Sequence, residues 1–445
     1  MCHGAFTTLG SPWHAGAANY DRRVRDPGIE ERPSQSPPPL RRNRDFLFLW
    51  TGQVVSTVGS RVSSVAFPLL VLALTGSPSK AGLVAFAQTL PFPLLFLVAG
   101  IVVDRVDRKV LMLVSDGARA VAFASLAVAL AVDRVAFAHI LAVAFVEGAF
   151  FVFFRLAESA ALPQVVPNEQ LPTAVAQNQA RDQGAELVGA PLGGLLFGID
   201  RVLPFLFDAV SYAIGFVTLL FVRPALQEDR PPRETNVREE VVEGFRWTWH
   251  QPFIRAIVIL VGGSNFAFNA LFLVLIVRAK DLGASAAWVG AMFAFLGAGA
   301  ILGALVAPSV ARSVPSKFVI VGSLWLWAVY PLVLVTLPNV VAMGLVAGVV
   351  NVTGPIFNVV LSAYRYALVP DRLLGRVGSV ILLVAWGTIP LGAISAGFLL
   401  EGFGAVTSML VVAGVSLAVA VGATLSRTVR NVPPVDELRA QVAPS

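Results

Sequence analysis

Twelve long apolar segments constrain the fold of this 445-residue chain more than any other feature. An α-helix needs about 20 apolar residues to cross a bilayer, and each segment is near or above that length. Apolar residues make up 56% of the chain and charged residues only 13%, well below the charged share of soluble domains. We therefore predict an all-α polytopic membrane protein with twelve transmembrane helices.

The segments form two groups of six with a hydrophilic stretch between them. We place them at 46–75, 82–103, 110–132, 135–156, 172–197, 203–222, 253–277, 286–310, 318–336, 339–361, 377–400 and 404–426. The predicted domains are a disordered cytoplasmic tail at 1–45, a six-helix bundle at 46–222, a cytoplasmic linker at 223–252, a second six-helix bundle at 253–426 and a cytoplasmic tail at 427–445.

The two halves resemble each other in sequence. Gly82 and Gly290 open the second and eighth segments, and the PNEQL stretch at 167–171 resembles PDRLL at 370–374. Parallel six-helix repeats that enclose a shared cavity are an architecture of secondary transporters. The sequence therefore predicts two six-helix pseudo-repeats.

Basic residues predict the orientation. With the N-terminus inside, the cytoplasmic segments hold 24 Lys and Arg residues and the external loops hold five. Lys and Arg are enriched in cytoplasmic loops. The preference for Arg over Lys, with abundant Ala, Val and Gly, is typical of a GC-rich bacterial genome. We expect both termini in the cytoplasm and a multi-pass protein in a bacterial inner membrane.

Several classes of protein are excluded by composition. The single cysteine, Cys2, cannot build a disulfide framework or a cysteine metal site, and the four histidines are scattered. No lysine follows a phosphate-binding glycine loop, and no nucleophile–base pair is recognisable in the spans or loops. The net charge of +6 is explained by cytoplasmic loops facing anionic lipid. We predict no enzyme, no cofactor and no nucleic-acid partner.

The loop between the second and third segments carries a recognisable motif. Residues 100–109 read GIVVDRVDRK, which resembles the G-x-L-a-D-r-x-G-r-k motif of the major facilitator superfamily. The chain departs from that motif at Val102 and Asp107. The resemblance covers about residues 44–430 and implies a transporter that works by alternating access.

Three further stretches narrow the resemblance. DGAR at 116–119, LPQVVPNEQL at 162–171 and DAVSY at 208–212 resemble the drug:proton antiporter branch that includes macrolide and siderophore exporters. The stretches at 156–163 and 189–194 depart from the patterns of that branch. The resemblance implies export of a drug-like or siderophore-like molecule in exchange for protons.

The motif loop is best explained as a cytoplasmic gate. Its residues would hold the seam between the halves closed in the outward-open state, and simple anchoring by positive charge is the alternative. Asp116 and Arg119, three residues apart, can pair on one helix face, either as part of the gate or only to stabilise the helix. The predicted gating residues are Gly100, Asp104, Arg105, Arg108, Lys109, Asp116 and Arg119.

Charged residues inside the spans are concentrated in the N-terminal half. Each costs about 3 kcal/mol at the membrane centre, so such residues normally face a cavity or a partner. Carboxylates carry protons, and a carboxyl in a low-dielectric cavity is suited to proton loading and release. The predicted proton-coupling residues are Glu147, Glu186, Asp182 and Asp208. A packed, hydrogen-bonded or ion-paired structural role is the alternative for each.

A second group of residues is suited to substrate contact. An arginine without a local acid suits an anionic group of the substrate or a carboxylate on another helix. Amides beside aromatic rings suit a large, mostly apolar ligand, although hydrogen bonds between helices are as common a use of such amides. The predicted substrate-cavity residues are Arg61, Phe151, Asn265, Asn269, Asn351 and Asn358.

These observations together predict a monomeric secondary transporter in the lipid bilayer. It would export a hydrophobic or amphipathic small molecule against inward proton flow. Two alternatives stay open: proton-coupled uptake or facilitated transport of a small molecule, and a membrane receptor or scaffold that transports nothing.

Overall fold

The structure is a computed structural model that describes residues 39–223, 226–227 and 237–431. The described chain is built from helices. The first half contains α1 (Arg44–Thr75), α2 (Pro78–Arg105), α3 (Arg108–Ala131), α4 (Phe137–Val165), α5 (Leu171–Ile199) and α6 (Leu203–Leu220). The second half contains α7 (Pro252–Asp281), α8 (Ala286–Ser313), α9 (Ser316–Thr336), α10 (Val340–Leu368) and the long helix Leu374–Leu425, which comprises α11 and α12.

The long helix is two membrane spans joined at a sharp bend. Gly404 has φ of 72°, a left-handed conformation that breaks the helix, so α11 covers 374–403 and α12 covers 405–425. Ten helices of the described chain are long and apolar enough to cross a membrane when this helix is counted once. The polar first half of α5 keeps that helix out of the ten. With α5 included and the long helix divided, the predicted twelve spans are present.

The helices lie close to the predicted segments. The clearest differences are in α4 and α10, which continue past the predicted ends at 156 and 361 to Val165 and Leu368. The predicted tails lie mostly outside the described residues. Shorter elements are the turns Leu40–Arg42, Asn168–Gln170 and Asp371–Leu373 and the helix Arg427–Arg430.

The predicted hydrophilic linker contains a helix of its own. Residues Val237–His250 form this linker helix, which ends two residues before α7 begins at Pro252. The predicted domain boundaries at 46–222, 223–252 and 253–426 stay predictions.

Aromatic side chains fill the interior of each half. In the first half, Phe67, Phe123 and Phe205 pack with ring centroids 5.3–6.4 Å apart. In the second half, Trp327 packs against Phe268 and Phe357 at 5.0 and 4.9 Å. Offset and edge-on aromatic contacts of this kind stabilise packing beyond the apolar area they bury.

The two halves meet closely at one end of the molecule. We call the end where α1 begins and α12 ends the tail end, and the opposite end, where α1 joins α2, the far end. At the far end a Cβ added to Gly82 of α2 would lie 2.8 Å from the Cα of Gly397 of α11. A Cβ added to Gly194 of α5 would likewise lie 2.8 Å from the Cα of Gly290 of α8. Two glycine pairs therefore bring the halves into backbone contact.

A polar contact completes the far-end closure. The side chain of Glu401, at the end of α11, accepts hydrogen bonds from Ser77 Oγ at 2.8 Å and from the backbone N–H of Ser79 at 3.0 Å. Since Ser77 caps α2, the carboxylate of one half meets the N-terminus of a helix in the other. This arrangement stabilises the closed far end.

The same helices are apart toward the tail end. A Cβ added to Gly100, Gly184, Gly375 or Gly378 would have no neighbouring atom within 4 Å. Within the described ranges, the side-chain hydrogen bonds and ring contacts that join the halves lie at the far end or near mid-span, as in the stack of Phe92 on Trp386 at 4.3 Å. The structure is therefore closed at the far end and open at the tail end.

We predict that Gly82→Leu opens the far end, because the new side chain has no space against the backbone of α11. Nitroxide labels at positions 80 and 402, in a Cys2→Ser background, report the separation of α2 and α11 by pulsed electron paramagnetic resonance. The distance distribution is expected to shift to longer values. Gly322→Leu is the matched control, since nothing lies within 4 Å of a Cβ there. An unchanged distribution in Gly82→Leu would contradict the prediction.

Candidate functional site

An exposed ion pair joins α1 and α5 in the middle of the first half. Arg61 Nη1 lies 3.0 Å from Glu186 Oε2, and the two side chains are 44% and 38% exposed. The close approach of the helices depends on Gly189, where a Cβ would collide with the Cβ of Arg61. The sequence offered two partners for Arg61, an anionic group of the substrate or a carboxylate on another helix. The structure contains the second.

This ion pair lies next to the contact between the halves. A Cβ added to Gly297 of α8 would lie 2.8 Å from the Cα of Leu187, the residue that follows Glu186. The pair is therefore solvent-accessible at the point where the closed part of the structure gives way to the opening toward the tail end. A molecule that enters the opening would meet both charges.

A buried cation lies behind this pair, on α3. Arg119 Nη2 is 2.5 Å from Asp116 Oδ1, the i, i+3 pairing that the sequence suggested, and both side chains are almost fully buried. The guanidinium stacks over the ring of Tyr212 at 4.2 Å and over that of Phe154 at 5.0 Å. A carboxylate and two aromatic faces thus compensate the buried positive charge.

Glu147 of α4 is buried and hydrogen-bonded to a neutral partner. Its Oε2 accepts from Gln88 Nε2 of α2 at 3.0 Å. The two helices touch here because Gly148 has no Cβ, which would otherwise collide with the carbonyl oxygen of Gln88. The Glu147 side chain therefore sits at a helix crossing rather than on the lipid surface.

Asp208 of α6 is fully buried against α1. Its Oδ1 accepts from Ser211 Oγ at 3.2 Å, and its Oδ2 is buried with no hydrogen-bond partner among the described residues. Gly59 provides the space for this cluster, since a Cβ there would overlap Ser211 Oγ and Asp208 Oδ1. The side-chain hydrogen-bond partner of Asp208 is thus a hydroxyl group, which carries no charge.

These groups form one electrostatic cluster with too few cations. Arg119 interacts with Asp116, Glu147 and Asp208, and Glu147 also interacts with Arg61. Of the three acids only Asp116 has an ion pair among the described residues. One buried cation thus faces three buried carboxyl groups, which we call the Arg119 cluster (Asp116, Arg119, Glu147, Asp208).

A second group of charges is balanced. Toward the tail end, Arg155 and Arg181 pair with Glu158 and Asp182 of α4 and α5, at 2.6 Å for Arg155–Asp182 and for Arg181–Glu158. Two further pairs, one within each helix, complete the network. Two cations and two anions neutralise each other, so Asp182 occupies an ion-pair network.

The motif loop is bound to its own half of the molecule and to the start of the linker. Arg108 donates to the carbonyl oxygens of Ala160 and Leu226 at 3.0 and 3.1 Å, and Lys109 donates to the carbonyl oxygen of Leu220 at 3.3 Å, where α6 ends. Basic side chains at a helix C-terminus satisfy its unpaired carbonyl groups. The loop lies on the open tail-end side, so its predicted role in closing the seam stays a prediction.

The other residues of the motif loop, which were predicted to act in gating, are exposed or face open space. Asp104 and Arg105 are exposed, and Gly100 faces open space. Asp107, which departs from the superfamily motif, caps α3 by accepting from the backbone N–H of Val110 at 3.0 Å. That hydrogen bond gives the substitution a local structural reason.

The predicted amides of the second half mainly join helices. Asn265 of α7 donates to the carbonyl oxygen of Ala385 in α11 at 2.7 Å, and Asn351 of α10 donates to that of Leu296 in α8 at 2.8 Å. Asn269 donates to the backbone of Asn265 in its own helix. The side chain of Asn358 is exposed, and Phe151 is half-buried.

Sequence reasoning missed the partners more often than the residues. Gln88 and the sandwich of Tyr212 and Phe154 around Arg119 were not among the candidates. The i, i+3 spacing of Arg155 and Glu158 was a usable signal for the balanced network. The other partners lie on separate helices and have no sequence signature.

Together these features define the class of protein. Twelve helices in two similar halves, an opening at one end and charged groups at its base are the features of a secondary transporter. The chain belongs to the transmembrane secretion effector family of the major facilitator superfamily, which matches residues 35–443. It is a membrane transporter and not an enzyme. The family match confirms the predicted family, and the helical architecture confirms the predicted fold.

Two similar proteins are exporters by name. The chain is 27% identical to the multidrug efflux pump Tap of Mycolicibacterium fortuitum over 371 residues, which cover 81% of this chain and 90% of that protein. It is 26% identical to the enterobactin exporter EntS of Citrobacter koseri over 355 residues, 76% of this chain and 81% of that protein.

Solved structures share the fold at low identity. The nucleoside transporter NupG superimposes with a TM-score of 0.70 at 14% identity, covering 85% of this chain and 97% of that one. A bacterial homologue of the iron transporter ferroportin in an inward-facing state gives 0.63 at 14% identity, covering 85% and 98%. These likenesses establish the architecture.

We predict that Asp116→Asn destabilises the protein strongly, because it leaves the buried cation of Arg119 without its carboxylate. Breaking a buried ion pair from one side costs about 3–5 kcal/mol. Asp133→Asn is the matched control, since the Asp133–Arg201 pair is exposed and such pairs contribute about 1 kcal/mol or less. Thermal unfolding in detergent should show a clearly lower midpoint for Asp116→Asn only. Equal midpoints would contradict the assigned role of the pair.

Proposed function

We propose that this transporter exports a hydrophobic or amphipathic small molecule, drug-like or siderophore-like, in exchange for protons. It works as a monomer in a bacterial inner membrane by alternating access. Support for export comes from the family, whose description is that of a secretion effector, and from relatives named for multidrug efflux and enterobactin export.

The observation that carries the proton coupling is the charge imbalance of the Arg119 cluster. If all three acids were ionised, the cluster would hold a net charge of minus two in the membrane interior. An uncompensated charge there is costly, and bound protons remove that cost. Glu147 and Asp208 have no ion pair in the described chain, so we assign the transported protons to these two carboxyl groups.

The other two candidate carboxylates have different roles in this proposal. Asp182 belongs to the balanced network with Arg155 and Arg181 and stabilises the contact of α4 with α5. Glu186 is paired with Arg61 and is accessible from the opening. We therefore assign Glu186 to substrate binding rather than to proton storage.

Arg61 connects the opening with the buried cluster. It is bonded to Glu186 and also interacts electrostatically with Glu147. A substrate that disturbs the Arg61–Glu186 pair changes the electrostatic interaction between Arg61 and Glu147. Substrate binding and proton release are thereby coupled through one side chain.

The orientation follows from the basic residues. The tail end holds most of the Lys and Arg of the loops, so it faces the cytoplasm and the structure is inward-open. A substrate from the cytoplasm or inner leaflet then has access to the site. One charge that crosses 100 mV supplies about 2.3 kcal/mol, roughly a fifty-fold gradient, which is adequate for export.

In the opposite state the motif loop closes the cytoplasmic side. Asp104 and Arg105, which are exposed when the tail end is open, then contact the second half across the seam. Arg108 and Lys109 hold the loop on α4 and α6 and so fix its position during the change.

Proton release on ligand binding tests the assignment. We expect purified protein in weakly buffered detergent to release protons when cationic dyes, macrolides or catecholate siderophores are added. Glu147→Gln and Asp208→Asn should each reduce the release, because an amide cannot lose a proton at that position. Asp133→Asn, at the exposed far-end pair, is the control and should release protons as the unaltered protein does.

Three results would contradict the proposal. Full release in both Glu147→Gln and Asp208→Asn would move the coupling to another group. Binding with no release by the unaltered protein would replace antiport by facilitated transport or symport. Failure of every compound to bind would reject the substrate class and leave the fold unaffected.

A further inference from the structure

The linker helix has three distinct faces. With 3.6 residues per turn, Gly244 and Thr248 lie on one face, which is buried against the second half. Glu239, Glu243, Arg246 and His250 lie on a second, polar face. The third face is apolar and exposed, and it is formed by Val242, Phe245 and Trp249.

The apolar face is a continuous surface. Val242, Phe245 and Trp249 are 57%, 49% and 46% exposed, and their spacing of three and four residues aligns them along the helix. The rings of Phe245 and Trp249 stack with centroids 5.5 Å apart and an interplanar angle of 12°. Water would be an unfavourable neighbour for this surface.

The position of the linker helix identifies its neighbour. The helix ends at His250 and the span α7 begins at Pro252, and Arg255 of α7 donates to the carbonyl oxygen of Trp249 at 3.2 Å. The axis of the helix is therefore at the level where a membrane span starts. A helix with separate apolar and polar faces and aromatic residues at this level is suited to the boundary between headgroups and acyl chains.

The buried face of the linker helix packs against α11. A Cβ on Gly244 would lie 2.8 Å from the carbonyl oxygen of Arg376, so the two backbones are in contact. Glu243 forms an ion pair with Arg376 and lies 3.7 Å from Arg372. At its other end α11 forms the far-end contact with α2 through Gly397.

We propose that the linker helix is a membrane-interface anchor that holds α11 in the tail-open state. Its apolar face binds the headgroup–acyl boundary of the bilayer at the tail end. The contacts of Glu243 and Gly244 transmit that position to the start of α11. The lipid surface thus contributes to the balance between the two states of the transporter.

The depth of the helix is tested first. In the full chain with Cys2→Ser, Val242→Cys or Arg246→Cys carries the only thiol for a nitroxide label, in nanodiscs of phosphatidylcholine and phosphatidylglycerol. The ratio of oxygen to nickel-complex accessibility should be clearly higher at 242 than at 246. The apolar face would lie at the acyl boundary, where oxygen is enriched and the polar nickel complex is excluded. Equal ratios would place the apolar face in water and overturn the proposal.

The coupling to α11 is tested by distance. Labels at 169 and 313, both exposed at the tail end, report its opening by pulsed resonance. The double variant Phe245→Ser with Trp249→Ser should shift the distances to shorter values. Glu243→Gln should do the same, although it leaves the accessibility ratio of a label at position 242 unchanged. Val121→Ser with Leu305→Ser, at exposed apolar sites elsewhere, is the matched control. Unchanged distances in both test variants would overturn the coupling, whatever the outcome of transport assays.

Discussion

The first half of the molecule is organised around the buried cation of Arg119. A charge in the membrane interior is tolerated only with partners, and Asp116, Tyr212 and Phe154 surround the guanidinium. Glu147 and Asp208 also interact electrostatically with Arg119. With Asp116, their combined negative charge would exceed the single positive charge of the guanidinium. We expect a site with only a structural role to contain equal numbers of positive and negative charges, as the network of Arg155 and Arg181 does. The excess acid makes the cluster suited to binding and losing protons.

The far-end closure depends on the absence of side chains. Gly82 with Gly397 and Gly194 with Gly290 place backbone against backbone, which allows a tight seal that few polar bonds need to support. The two glycine pairs join α2 with α11 and α5 with α8. Each pair joins the second helix of one half to the fifth helix of the other, so the two contacts are equivalent. The Arg61–Glu186 pair lies just inside this seal. A change in that pair is therefore close both to the buried cluster and to the surface along which the halves separate.

Much of the fold could be predicted because long apolar segments form transmembrane helices. The predicted ends of α4 and α10 were too early, since these helices continue beyond the apolar region and hydropathy no longer marks them. The pairing of Asp116 with Arg119 was readable from spacing on one helix. The pairing of Arg61 with Glu186 and of Gln88 with Glu147 was not, because partners on different helices are chosen by packing. For Asn265 and Asn351 the sequence offered either substrate contact or hydrogen bonds between helices, and both amides donate to a carbonyl oxygen of another helix.

Exchange of protons for substrate is the central claim, and reconstituted vesicles test it most directly. Liposomes containing the transporter and an internal pH-sensitive dye are preloaded with a compound that the protein binds, and its downhill exit is started by dilution. The account predicts that protons move in the opposite direction, that the lumen becomes acidic, and that Glu147→Gln with Asp208→Asn abolishes the proton signal. Substrate exit with no change in luminal pH in the unaltered protein would contradict it.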